Sequence, residues 1–305
     1  MQATPHDLRR VPPWSLRLIA GFFGLFPFRF LSTLGAAIGF LAGSVLRIRR
    51  AHVVAAMQRA GVAAPERSAS QMYRGLGASL LELVWLSARR RRGALPFVRI
   101  DHRERFDEAR RLGRGVIVAT AHTGNWDLVA CACANETKLA VITRRLSARG
   151  LDALWQDTRA RRGVDLLPAP DGGVLAAARA RLAGGAAVAV LVDQDPERTH
   201  GVVFAPFLGE EAAHDTLPAT LAARSGAPLV LALGGRRGGH HVTIEEVFVP
   251  PPRAGRAWID ETTRAMAARL EAYVRAAPEE WLWMHRRWKT QRATTTAGSV
   301  TSPAG

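Results

Sequence analysis

Between residues 115 and 127 the chain reads GVIVATAHTGNWD. An apolar run ends, a histidine follows at once, and an aspartate stands five residues after it. An imidazole beside a carboxylate is a general-base pair: the acid fixes the tautomer of one ring nitrogen and raises the basicity of the other. Neither serine nor cysteine stands between His122 and Asp127 to serve as nucleophile, so the proton such a pair removes would come from a substrate hydroxyl. An unperturbed histidine titrates near ~6.5, which suits a base at neutral pH. Gly124 permits a sharp turn, Asn125 is a good N-cap, and Asp127 falls in the first helical turn, where the dipole favours a carboxylate. A turn this tight can fold Asp127 back onto His122. By themselves these residues fit a capped helix with an incidental histidine equally well.

The surrounding texture is α/β. Residues 115–120, 139–143, 164–169, 187–194, 228–235 and 241–249 read as strands. Helices are expected over Asn125–Asn135, Leu151–Arg162, Gly173–Leu182, Leu217–Gly226, Ile259–Ala276 and Glu279–Trp288. His122 then lies at the carboxyl end of a strand, where open α/β sheets form ligand crevices. Asp193 and Gln194 end the fourth strand at the same edge and are expected to brace the pocket. Arg144 and Arg145 follow the second strand, and their guanidinium forks match phosphate or carboxylate.

Upstream, residues 30–46 read FLSTLGAAIGFLAGSVL, without charge, slightly short of the ~20 residues that span hydrocarbon. Arg47, Arg49 and Arg50 follow, as on a cytoplasmic flank. No small-residue cleavage site precedes a polar mature start, so this is not read as a removed signal peptide. A membrane anchor or in-plane interfacial helix is expected here, against a buried helical hairpin as the alternative. Residues 51–98 read as helical and close on Arg89–Arg92, a helix end or a phosphate-docking patch. The net charge is +16, which attracts acidic partners: nucleic acid, anionic membrane, phosphorylated lipid or an acidic carrier protein. Zinc-finger spacing and aromatic RNA-binding signatures are lacking, which argues against a nucleic-acid binder. Cys131 and Cys133 are spaced unsuitably for a mutual disulfide and read as free thiols.

His122-Thr123-Gly124-Asn125-Trp126-Asp127 resembles the His-x-x-x-x-Asp/Glu signature of glycerolipid acyltransferases, and its Gly-Asn-Trp interior is similar to the lipid A late acyltransferases. Three further blocks resemble that branch: Thr143-Arg144-Arg145, the long stretch 193–230, and PEEWLWMHRRWKT (278–290). The resemblance covers nearly the whole chain. It implies a mixed central sheet flanked by helices, glycerol-3-phosphate acyltransferase-like, with a helical membrane-anchoring N-terminal section. The expected division is an anchor over 1–50, an acyltransferase domain over 51–290 and a disordered tail over 291–305.

The resemblance further implies that His122, oriented by Asp127, deprotonates an acceptor hydroxyl that attacks a fatty acyl thioester of acyl carrier protein or coenzyme A. No cofactor or metal is implied beyond that cosubstrate. Thr123, Gly124, Asn125, Arg144, Arg145, Asp193, Gln194 and Thr216 are the substrate-binding residues it suggests. The acceptor would be a lipid A precursor or related glycolipid at the cytoplasmic face of the inner membrane. Two departures bear on it: Asp127 stands where lipid A members often carry glutamate, as in transferases acting on phosphatidylinositol mannosides, and Leu217-Pro218 stands where many relatives have Thr-Gly. Phospholipid and aminolipid acceptors stay open. From another class, Asp193-Gln194-Asp195 reads as the Asp-x-Asp of a metal-dependent glycosyltransferase.

Overall fold

The computed structural model describes residues 14–88, 98–144, 146–169 and 173–292. Arg145, Arg89–Arg92 and most of the C-terminal tail, all singled out from sequence, lie outside the described residues. Two short helices, α1 (Trp14–Phe23) and α2 (Phe28–Phe40), the second continued by one wide turn over Leu41–Val45, lead into α3 (Arg50–Arg59) and α4 (Pro65–Ala88). The α/β part then runs β1 (Val98–Asp101), α5 (Arg103–Arg111), β2 (Val116–Thr120), α6 (Trp126–Glu136), β3 (Leu139–Thr143), α7 (Arg149–Arg161), β4 (Val164–Pro168), α8 (Val174–Ala183) and β5 (Ala187–Leu191). It ends with the hairpin β6 (Val202–Phe207) and β7 (Glu210–Asp215), then α9 (Leu217–Ser225), β8 (Leu229–Gly235), β9 (His240–Phe248) and α10 (Arg256–Ala276).

Seven strands form one mixed, mostly parallel sheet in the order β1-β9-β8-β2-β5-β3-β4, with β9 antiparallel to β8. The central strands read as unbroken apolar runs because both faces are covered. Ile117, Ala119, Val188, Val190, Leu229 and Leu231 join the main core, whose other walls include Leu221 on α9 and Met266 and Leu270 on α10. Val116, Val230 and Ala232 pack on the opposite face with Ala109 of α5. Helices therefore flank both faces, as the alternating pattern predicts.

The six expected strands are all present. Three features were not read from sequence: the four-residue edge strand β1, helix α5 and the β6–β7 hairpin, which forms a separate two-stranded sheet. One expectation is corrected. Glu279–Trp288 is not a helix: after a 3₁₀ turn over Pro278–Glu280 the chain extends, and Trp281 pairs with Thr123 as an antiparallel bridge. Pro278 cannot continue α10. Trp281, Trp283 and Arg287 are each 1 % exposed, so they pack inside the protein.

The N-terminal helices turn apolar side chains outward. Trp14, Leu18, Phe22, Leu25 and Phe30 are exposed, as are Leu41, Val45 and Leu46. Inward, α2 lies along α4 with Gly35 and Gly39 against Tyr73 and Gly77, and a side chain at Gly35 or Gly77 would strike the other helix's backbone. Small residues of this kind let two helix backbones approach closely. A helical hairpin buried in a core would not show this outward face. The apolar helix Phe28–Val45 is long enough to cross a membrane by length and composition.

Candidate active site

The site grows out of sheet register. β2 and β5 are parallel neighbours with Thr120 opposite Leu191. His122 and Asp193 each stand two residues beyond those strand ends and so emerge side by side although 71 residues separate them. His122 Nδ1 lies 2.9 Å from Asp193 Oδ1, and the His122 backbone N–H donates to Asp193 Oδ2 at 3.1 Å. Trp281 Nε1 also donates to that carboxylate, at 2.9 Å. Burial of Asp193 works against its charge, but the His122 imidazole and the three hydrogen bonds outweigh it and hold the acid below the usual carboxylate range. An ionised Asp193 accepts only, so Nδ1 carries a proton, and in the neutral ring Nε2 is the nitrogen with the free lone pair.

Asp127 was expected in that place, and the structure corrects this. Its Oδ1 accepts from Trp155 Nε1 at 2.8 Å and from Arg159 Nε at 2.7 Å, with Arg159 Nη2 at 2.6 Å. The first turn of α6 directs Asp127 to α7 and sets the ring of Trp126 against His122 instead, edge to face at 4.9 Å. Asp127 and Arg159 are both buried, so this pair braces α6 against α7, with Arg159 also at the wall of the larger cavity.

The remaining motif residues build the loop. Thr123 is fully buried, and its hydroxyl accepts from the Gly234 N–H at 3.1 Å. Gly124 has φ +58, and a Cβ there would lie 2.8 Å from the Gly235 nitrogen, so only glycine fits. Asn125 caps α6 by accepting from the Leu128 N–H at 3.0 Å, while its amide donates to Glu82 at 2.6 Å. Glu82 has no exposure and gathers Ser32, Arg236 and His240 as well. Burial opposes its charge, but the bonds from His240 and Arg236 prevail and keep it ionised, below the usual range. The extended C-terminal segment closes the far side: the Glu280 carbonyl accepts from Gly124, and the His122 carbonyl accepts from Leu282.

Thr216 is buried at the start of α9 and donates to the Gly201 carbonyl at 2.9 Å. It does not line a cavity with His122; its neighbours Asp215 and Leu217 do. Asp195 is taken up by the N–H groups of Glu197, Lys289 and Thr290 and by the Thr290 hydroxyl. With Asp193 committed to His122, Asp193-Gln194-Asp195 has no free pair of carboxylates for a cation. Cys131 is buried and Cys133 half-buried, and burial pushes their thiols up to about 12 and about 11. Neither is poised to act as a nucleophile.

The two larger cavities share Trp126 in their walls. One, about 460 Å³, is lined by His122, Arg144, Trp155, Arg159, Gln194 and His285 among others. The second, about 120 Å³, lies between the sheet and helices α5 and α6. Phe106, Val118, Val129, Ala189, Val242 and Ile244 make it largely apolar, with Arg103, Asp107, Arg110 and Glu136 among its other lining residues. Glu82, Trp155, Arg159, Trp281 and His285 were not singled out as site residues from sequence. His285 and Trp281 sit in the C-terminal block whose resemblance was noted, and that block was the available signal for them.

Fold and site together define an α/β protein with a histidine–carboxylate pair at the carboxyl edge of its sheet, beside a larger cavity of mixed polar and apolar lining and near a smaller apolar one. Residues 8–290 match the family described as bacterial lipid A biosynthesis acyltransferase, and the chain belongs to that family. It is similar to a phosphatidylinositol mannoside acyltransferase of Mycobacterium tuberculosis strain H37Rv, 26 % identical over 195 residues, which is 62 % of this chain and 58 % of the relative. The protein of the same name from strain CDC 1551 is 27 % identical over 198 residues, with the same coverage. The matched stretch thus spans under two thirds of those relatives' length.

Proposed function

We propose that this protein is a membrane-associated O-acyltransferase that moves a fatty acyl chain from a thioester of acyl carrier protein or coenzyme A to a hydroxyl of a lipid A precursor or related glycolipid. One observation carries the reading: an imidazole that lines a cavity while its Nδ1 is held by buried Asp193. In this reading Nε2 takes the acceptor's hydroxyl proton as the oxygen attacks the thioester carbonyl. The tetrahedral intermediate then collapses, the C–S bond breaks, and His122 returns the proton to the thiolate. General-base help of this kind is worth about 10²–10⁴-fold.

The two cavities support a division of labour. The apolar one shares Trp126 with the His122 side and suits a hydrocarbon chain; the larger one, with Arg144 exposed at its wall, suits a polar or anionic acceptor headgroup. The histidine at the carboxyl end of β2 supports a glycerol-3-phosphate acyltransferase-like fold. The curated relatives favour a second acceptor, since both are named for phosphatidylinositol mannoside, and Asp127 rather than glutamate agrees with it. Lipid mass spectrometry of a deletion strain tests the function. One lipid class losing a single acyl chain is the expected result, and an unchanged acyl pattern contradicts it.

The outward apolar face of α1 and α2, followed by Arg47, Arg49 and Arg50, supports attachment at the cytoplasmic face of the inner membrane. Because α2 rests along α4 through its glycines, we read the pair as lying in the membrane interface. Substituting Leu18, Phe22 and Leu25 together with glutamate removes three exposed apolar groups and touches little of the core. Binding to anionic vesicles in a flotation assay should fall roughly a hundredfold or more. Unchanged flotation would place the contact elsewhere.

A further inference from the structure

The amide of Gln194 stands between two imidazoles. Its Nε2 is 3.2 Å from His285 Nε2 and 3.4 Å from His122 Nε2, and the two rings are 5.1 Å apart. With Nδ1 of His122 donating to Asp193, Nε2 of the neutral ring, the form that acts as a base, is an acceptor. An amide oxygen aimed there would set lone pair against lone pair, so the nitrogen end of Gln194 must face the histidines. His285 lines the same cavity, and burial, aided by the nearby His122, lowers its pKa and keeps its ring neutral. A neutral ring can offer Nε2 as an acceptor. The bond to His285 is the shorter and holds the amide; the contact to His122 is long for a hydrogen bond and easily surrendered.

Resting on the acyltransferase reading, we infer that Gln194 is the oxyanion donor of the reaction and His285 the positioning residue that holds it there. An entering hydroxyl takes over Nε2 of His122 and releases one amide N–H of Gln194. As the C–O bond forms, the carbonyl π pair moves onto the thioester oxygen, and the released N–H donates to that oxygen. When the C–S bond breaks the pair returns, and the thiolate takes the proton held on His122. The amide comes preorganised, since Gln194 follows Asp193 directly beyond β5 and His285 tethers its far end. Preorganised donors at a developing oxyanion are among the largest contributors to such reactions.

The test is the release of free thiol from a long-chain acyl thioester of coenzyme A, or of acyl carrier protein if the wild type uses that, in the presence of vesicles of extracted bacterial lipid. Gln194→Ala should lower kcat by about 10²–10³-fold, with KM for the thioester changed less than about threefold. Gln194→Glu keeps the volume but sets a negative charge where the oxyanion forms, and should lose at least as much. His285→Ala should cost about tenfold, and Gln194→Ala/His285→Ala should be no slower than Gln194→Ala alone, because two groups acting through one bond are not additive. His285→Gln, which supplies another neutral acceptor, should recover part of that loss. Near-wild-type kcat in Gln194→Ala and Gln194→Glu, or fully additive losses in the double variant, overturns the inference. His122→Ala separates the two levels: if it stays fully active the acyltransferase mechanism itself fails, and if it is dead while both Gln194 variants are active only this inference fails.

Discussion

Substituting His122 with alanine should abolish acyl transfer, with a loss of about 10²–10⁴-fold in kcat, while thermal unfolding and vesicle flotation stay close to wild type. The size follows from the geometry: of the two histidines lining the larger cavity, His122 is the one whose ring is hydrogen-bonded to a buried carboxylate. His285 is neutral but lacks such an acid, and Cys131 and Cys133 are protonated by burial. The imidazole is itself only partly buried, 13 % exposed, so its removal opens no large hole in the core. A variant that keeps near-full turnover removes the assigned base. Radiolabelled acyl transfer to extracted lipid, beside a melting curve of the same preparation, gives both readings.

The second large effect is on stability. Substituting Asp127 with alanine strands the buried guanidinium of Arg159, with the Thr143 hydroxyl at 3.3 Å as its remaining hydrogen-bond acceptor among the described residues. Breaking a buried ion pair from one side costs about 3–5 kcal/mol. The midpoint of chemical denaturation should therefore fall well below wild type, and residual folded protein should still transfer acyl groups. Replacing both partners with apolar residues of like volume, Asp127→Leu with Arg159→Met, should recover much of the loss, since the charges then leave together. If Asp127→Ala instead melts like wild type and is catalytically dead, Asp127 belongs to the chemistry and not to the brace.

These two substitutions show where sequence stops being sufficient. His122 at a strand end, Gly124 in the turn and Asn125 as the cap follow from local rules, and all three stand where those rules put them. The partner of His122 does not follow from local rules. Asp127 is five residues away in sequence, but α6 turns it to α7, and helix direction outranks proximity along the chain. Asp193 is 71 residues away and becomes adjacent only because β5 lies directly beside β2, a fact of strand order. The sequence did mark Asp193 and Gln194 as ending a strand at the same edge. The C-terminal block shows a different limit. It reads as a helix over Glu279–Trp288 by composition, yet Pro278 ends α10 and the extended segment pairs along Thr123 and His122. A coarse α/β architecture is legible from period and apolar runs. Long-range pairing such as Glu82 with Asn125 and Arg236 leaves no periodic trace.

The most direct measurement on the central claim is the turnover of Asp193→Asn, normalised to folded protein. An asparagine keeps the volume but offers an amide in place of a charge, so Nδ1 is no longer held as the donor and Nε2 loses its basicity. The same exchange in a serine-protease triad costs about 10⁴-fold, and here a fall of at least about a hundredfold is expected, with the fold intact. Wild-type turnover in a folded Asp193→Asn would contradict the pairing on which the proposed chemistry stands.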